Sequence, residues 1–123
     1  MGYESRIIVA QRSVWKSGYV HYSKLADMRL CCCGYGFRDI FTTPIESPIY
    51  GDGFKENSME EYELTEDEYG DICTYTDIQT VIDWLEKAEA EEHYRRFTPA
   101  IAMLKAYAAE TWEGDIVVVH YGY

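Results

Sequence analysis

The chain has 123 residues, 47% of them hydrophobic and 15% aromatic, and carries a formal net charge of −11. That much apolar and aromatic material excludes a disordered acidic tail, which lacks the residues to build a core, and the length fits a single domain over residues 1–123 and not two. The charge argues against direct binding of nucleic acid or of an anionic membrane surface and favours basic partners.

The charge is unevenly placed. Residues 1 to 45 carry six bases (Arg6, Arg12, Lys16, Lys24, Arg29, Arg38) against three acids, while residues 46 to 92 carry sixteen acids against Lys55 and Lys87. The middle of the chain therefore holds the whole excess. Four cysteines, three of them consecutive at Cys31, Cys32 and Cys33 with Cys73 distant, do not form the spaced pairs of a secreted disulfide framework. Met1 to Arg12 lacks the apolar centre of a signal peptide and carries Glu4, and no apolar run approaches the roughly 20 residues that span a bilayer. These features place the expected location in a reducing cytoplasm, with no membrane partner.

In chain order, Arg6 to Ala10 (RIIVA) is β-branched and apolar, the pattern of a central strand buried on both faces. Lys16-Ser17-Gly18 is turn chemistry, and Tyr19 to Tyr22 reads as extended. From Ser23 two readings compete. Ser23 caps a short helix with Leu25, Met28 and Cys32 on one face and Gly34 and Gly36 to stop it, or RLCCC is a strand. Pro44 and Pro48 confine any strand between Phe37 and Tyr50 to a short or edge position. Gly51-Asp52-Gly53 reads as a turn.

Tyr62 and Leu64 alternate with Glu61 and Glu63, as in a strand with one wet face. Tyr69-Gly70-Asp71 turns the chain, and Ile72 to Tyr75 can return antiparallel, which would make the stretch before it the arm and tip of a hairpin. Thr76 and Gln79 form a capping box for a helix from about Asp77 to Glu91, with Ile78, Val81, Ile82 and Leu85 as its buried face and Asp83, Glu86 and Glu89 or Ala90 outside. After a break at His93 to Arg96, a capping Thr98 and Pro99 open a second helix to about Glu110. Its stripe is Phe97, Ile101, Leu104 and Ala108, broadened by Ala100, Met103 and Tyr107. Ile116 to His120 (IVVVH) is then the strongest strand signal, a second central strand beside the first. The expected fold is α+β: a mixed or mostly antiparallel sheet with the N- and C-terminal strands central and the two C-terminal helices packed on one face.

The candidate site is the stretch from Glu60 to Asp71, EEYELTEDEYGD, in which seven of twelve side chains are carboxylates. On a strand, alternate carboxylates lie roughly 6 to 7 Å apart, close to the spacing of phosphates along one nucleic-acid strand. Glu60, Glu61, Glu63, Glu66, Asp67, Glu68 and Asp71 are positioned to pair with arginine and lysine of a partner, and Tyr62 and Tyr69 to supply desolvated contact. The competing reading is a solvated loop that keeps an acidic protein in solution. Twelve tyrosines are too many to bury in a chain of this size, so several must lie at the surface, either as a binding patch or on the half-exposed face of a sheet.

Catalytic and metal motifs are weak. Neighbouring cysteines on a strand point to opposite faces, so Cys31 and Cys33 would need Cys73 and a histidine to complete a zinc site, and no CxxC spacing supports it. A cysteine nucleophile with His120 or His21 has no nucleophile elbow around it; a pocket gathering His120, His21 and a cysteine would be its sign. An EF-hand register with Gly70 at its glycine position places Thr65, Asp67 and Tyr69 where acids are required, and fails. No cofactor, metal ion or enzymatic activity is expected.

The termini, MGYESRI at Met1 to Ile7 and VVVHYGY at Val117 to Tyr123, resemble those of small uncharacterised proteins encoded by tailed bacteriophages. More broadly the chain is similar in type to phage anti-CRISPR inhibitors: small, acidic, free of catalytic motifs and rich in surface aromatics. The likeness carries no residues across. It implies a non-enzymatic inhibitor of a basic, nucleic-acid-handling host protein, a CRISPR effector such as Cas9 first among them, with the acidic stretch in a groove meant for nucleic acid. The alternative is a small interaction or assembly protein, for example a homodimer through a tyrosine-rich sheet face.

Overall fold

A computed structural model describes residues 4–31, 35–51, 63–66, 70–92 and 97–122. Among them, seven strands and three helices follow in the order β1 (Glu4–Val14), β2 (Val20–Cys31), α1 (Tyr35–Arg38), β3 (Thr43–Pro44), β4 (Ile49–Tyr50), β5 (Glu63–Leu64), β6 (Thr74–Asp77), α2 (Ile78–Glu92), α3 (Thr98–Ala109) and β7 (Asp115–Gly122). The strands form one sheet in the order β3-β6-β7-β1-β2-β4-β5. All its pairings are antiparallel except that of β2 with β4. The fold is α+β, and the first and last strands lie side by side at its centre.

That centre follows from the two apolar runs. Ile7 and Val9 on β1 and Val118 on β7 face the helices, whereas Ile8, Ala10, Val117 and Val119 face the other way, and all are buried. Each of these isoleucines and valines contributes about 1.5–3 kcal/mol through burial, so neither strand is stable at an edge. On the first face α2 lays down Ile78, Val81, Ile82 and Leu85, and α3 lays down Ile101 and Leu104, with Phe97 just before it. Ala108, expected in the α3 stripe, is exposed instead. Phe37 and Phe41 complete this layer, their rings edge to face at 5.2 Å.

The helix that Leu25, Met28 and Cys32 suggest from Ser23 does not form; the chain stays in strand through Cys31. A β-bulge causes the false period. Ala10 pairs with Lys24 and Val9 with Ala26, which leaves Leu25 between them unpaired. Alternation changes phase there: Val20 and Tyr22 pack on the second face, Ala26, Met28 and Leu30 on the first. Apolar residues three apart across that shift imitate a helical repeat. A short helix appears later, at Tyr35–Arg38, and contains Gly36, one of the two glycines expected to end a helix.

Both capping expectations are displaced by one residue. At α2 the Asp77 carboxylate accepts the Thr80 amide at 2.8 Å, so Asp77, not Thr76, is the cap. At α3 the residue before the helix is Phe97, which offers no side-chain cap, and the Thr98 hydroxyl donates to Glu89 on α2 at 2.9 Å. Thr98 thus ties the two helices together instead of capping one.

The second face is covered by the sheet's own edges. Ile45, Ile49, Leu64 and Cys73 close over Ile8, Tyr22, Val119 and Tyr121. Pro44 ends β3 at one edge and β5 forms the other, yet the edges are brought together. The Ile45 amide donates to the Cys73 carbonyl and the Cys73 amide to the Thr65 carbonyl, each at 3.0 Å. Among the described residues, the hairpin expected around the acidic stretch is represented by the Cys73–Thr65 hydrogen bond and one antiparallel bridge, Glu66 to Ile72; its tip at Asp67 to Tyr69 lies outside them. β5 pairs with β4, and β6 with β7 and β3.

Candidate interaction surface

Strand alternation sets the acidic stretch on the surface. Leu64 is buried in the second core and acts as the anchor, so its neighbour Glu63 faces solvent, and Glu66 and Asp71 are exposed as well. Asp71 lies 3.8 Å from the Arg38 guanidinium, a pair more than half exposed on both sides and worth little against water. Of the expected contact residues, Glu60, Glu61, Tyr62, Asp67, Glu68 and Tyr69 lie outside the described residues.

Three of the six bases of residues 1 to 45 are engaged elsewhere. Arg6 pairs with Asp27 at 3.1 Å, Lys24 pairs with the same carboxylate, and Arg12 pairs with Glu46. Burial pushes the Asp27 carboxyl up, but the hydrogen bonds from Lys24 and Arg6 outweigh it and hold the group below its ordinary value. Glu46 behaves in the same way, with hydrogen bonds from Arg12 and Tyr22 overcoming desolvation. These three bases are neutralised within the fold, and α2 carries carboxylates of its own on its outer face. Asp83 is exposed beside Gln79, and Glu86 beside Lys105.

A feature that sequence reasoning missed adjoins Glu63. The β1–β2 turn is built as Lys16-Ser17-Gly18 implies: Gly18 has φ of 87°, its amide donates to the Trp15 carbonyl at 2.8 Å, and the Trp15 amide donates to the Tyr19 carbonyl at 2.8 Å. The turn brings Trp15 over His21, with ring centroids 5.3 Å apart and planes 24° apart. His21 in turn stacks on Tyr50 of β4 at 5.1 Å and 17°. Tyr19 leans on Trp15 at 5.1 Å.

Parallel pairing of β2 with β4 makes this possible, since Ser23 aligns with Tyr50 and so sets Tyr50 on the same face as His21. Gly51 permits the close approach; a Cβ there would lie 2.6 Å from that of Lys24. On the other side of β4, Tyr50 stands directly opposite Glu63. A hydrogen bond with Tyr19 and the charge of Glu63 push the Tyr50 phenol up to about 12. Trp15 is 53% exposed and Val14 60%, so the aromatic column ends in solvent. The only local sign in the sequence is a tryptophan beside a turn.

A cleft of about 300 Å³ opens between α1 and the start of β6. Its walls include Arg38, Asp39, Asp71, Cys73 and His120. Cys73 and His120 are buried, and the imidazole is walled by Phe41 at 5.1 Å and Phe37 at 6.1 Å. Two of the three groups that cysteine chemistry asks for therefore line one cleft, with Cys73 packed in the second core and the His120 ring against the first, while His21 belongs to the aromatic column. Among the described residues no group of three or more histidines, cysteines and acids is placed to hold a metal ion. Cys33 lies outside those residues.

No family model matches the chain, and neither a curated protein nor a solved structure matches it. Among the described residues no helix is long and apolar enough to cross a membrane.

Proposed function

We propose that the protein is a phage-encoded, non-catalytic inhibitor that binds a basic, nucleic-acid-handling protein of the host through its acidic surface. The observation that carries this reading is the separation of charge. Carboxylates at Glu63, Glu66 and Asp71 face solvent, whereas Arg6, Arg12 and Lys24 are held in ion pairs within the fold. A partner that presents arginine and lysine in a groove for phosphate would meet a surface of opposite sign, which speeds encounter and fixes register. The likeness in type to anti-CRISPR inhibitors makes a CRISPR effector such as Cas9 the first candidate, with the protein acting in the cytoplasm of the infected cell.

The test is calorimetric titration of an effector such as Cas9 with the intact protein and with the variant Glu63→Lys, Glu66→Lys, Asp71→Lys. Binding that is lost in the variant, with its circular dichroism unchanged, supports the reading; equal binding by both forms removes it. A second reading, self-association, is favoured by the solvent exposure of Val14, Trp15 and Ile72. Sedimentation of the free protein as a dimer would put it first.

A further inference from the structure

We infer that the aromatic column Trp15–His21–Tyr50, together with Glu63, is an arginine-binding site for a basic segment of the partner protein. This inference rests on the proposed function and names the part of the surface that would give it specificity. Three rings in near-parallel contact offer a flat, electron-rich face at Trp15, more than half exposed and already held in place by Tyr19 and His21. A guanidinium stacks on such a face, preferring tryptophan, and does so more readily than the strongly hydrated ammonium of lysine. At the far end of the column, Glu63 lies across from Tyr50 and supplies a carboxylate for a second cation of the same segment. Rigid aromatic anchors rimmed by polar groups are the usual composition of an energetic centre in a protein interface.

Charge selects among occupants. The chain's formal charge of −11 disfavours a second copy of itself, and it disfavours nucleobases because their phosphates would approach Glu63 and the rest of the acidic stretch. A cationic peptide meets neither obstacle. Because the guanidinium adds stacking to charge, the site separates arginine from lysine, which a purely electrostatic surface does not.

The experiment titrates the full-length protein with an arginine homopeptide and a lysine homopeptide of equal length, following amide and indole resonances by NMR. Trp15 is assigned by its loss in Trp15→Phe. The expected result is a shift of the Trp15 indole resonance and an affinity for the arginine peptide about three- to five-fold higher than for the lysine peptide, the size of one exposed cation–π contact. Trp15→Ala and Tyr50→Ala should erase that preference, the affinity for the arginine peptide falling to that for the lysine peptide. Trp15 is exposed and Tyr50 half-buried in β4, so unchanged amide dispersion is required to verify the fold of both variants, and the wild-type indole shift is an independent readout. Equal affinities with an unmoved Trp15 resonance would overturn the inference. If the Glu63→Lys, Glu66→Lys, Asp71→Lys variant then loses both peptides, the acidic surface stands and only the aromatic site falls; if neither peptide binds the wild type, both readings fall. A dimer dispersed by Trp15→Ala, or binding of a single-stranded oligonucleotide that shifts Trp15, would likewise assign the column to another occupant.

Discussion

Tyr22→Phe removes one oxygen from the inside of the curled sheet, and its effect can be worked out from the contacts of that atom. The ring of Tyr22 is fully buried and packs edge-on against Tyr75 at 5.9 Å, contacts that phenylalanine keeps. The hydroxyl donates to Glu46 at 2.8 Å and accepts from Arg12 Nε at 3.2 Å. A hydrogen bond to a charged group contributes about 1.5–3 kcal/mol, and partial exposure of Glu46 lets water replace some of it, so the loss should be about 1–2 kcal/mol. For a domain of this size that lowers Tm by about 4–8 °C.

The effect should also depend on pH. Glu46 is held below its ordinary value of 4.5 in the folded state, so the stability it contributes is complete above that value and is lost as pH falls through the lower folded one. Removing the Tyr22 donor removes part of that contribution. The gap between wild type and Tyr22→Phe should therefore be widest near neutral pH and narrow in acid, where only the Arg12 contact of the hydroxyl remains. Urea denaturation followed by circular dichroism across this range is the assay. A variant as stable as wild type at neutral pH, or a gap as wide in acid as at neutral pH, would refute the assignment of the Arg12–Tyr22–Glu46 contact as a charge-assisted network.

Three further outcomes are expected. Gly114→Ala, at φ of 87° and with its new Cβ 2.3 Å from the Arg12 carbonyl oxygen, should destabilise by about 2–5 kcal/mol from backbone strain and displacement together, measured by urea unfolding. Asp77→Ala should cost about 1 kcal/mol through the lost α2 cap, whereas Thr76→Ala should be near neutral in the same assay. On alkaline titration followed by tyrosinate absorbance, Tyr22 and Tyr50 should ionise above the ordinary 10.0, Tyr22 because burial and Glu46 both raise it and Tyr50 because Tyr19 and Glu63 raise it. Since raised folded values stabilise below the ordinary 10.0 and fail above it, the fold should weaken as pH rises beyond that point; a full complement of tyrosines titrating together in the folded protein would contradict this.

The legible parts of the fold were those written in a local pattern. RIIVA and IVVVH are contiguous apolar runs with no wet face, and only a central position accommodates them. The α2 stripe repeats at the helical period without interruption. β2 was ambiguous because its bulge shifts the alternation at Leu25, and a phase shift of one residue in a strand looks like a helical step. Caps were misplaced by one residue because Thr76 and Asp77 both carry suitable oxygens, and only the path of the backbone decides between them. In the acidic stretch, the outward direction of Glu63 followed from alternation with Leu64. Its neighbours in space did not, because Trp15, His21 and Tyr50 are joined by a hairpin turn and a parallel strand pairing that leave no mark on sequence spacing.

The measurement that tests the central claim most directly is the affinity of the protein for a CRISPR effector such as Cas9 as a function of salt, for wild type and for Glu63→Lys, Glu66→Lys, Asp71→Lys. Binding through the acidic surface predicts an affinity that falls steadily as ionic strength rises, and a variant that binds weakly with a flatter salt dependence. Tight binding that ignores salt and is the same in both forms would contradict it.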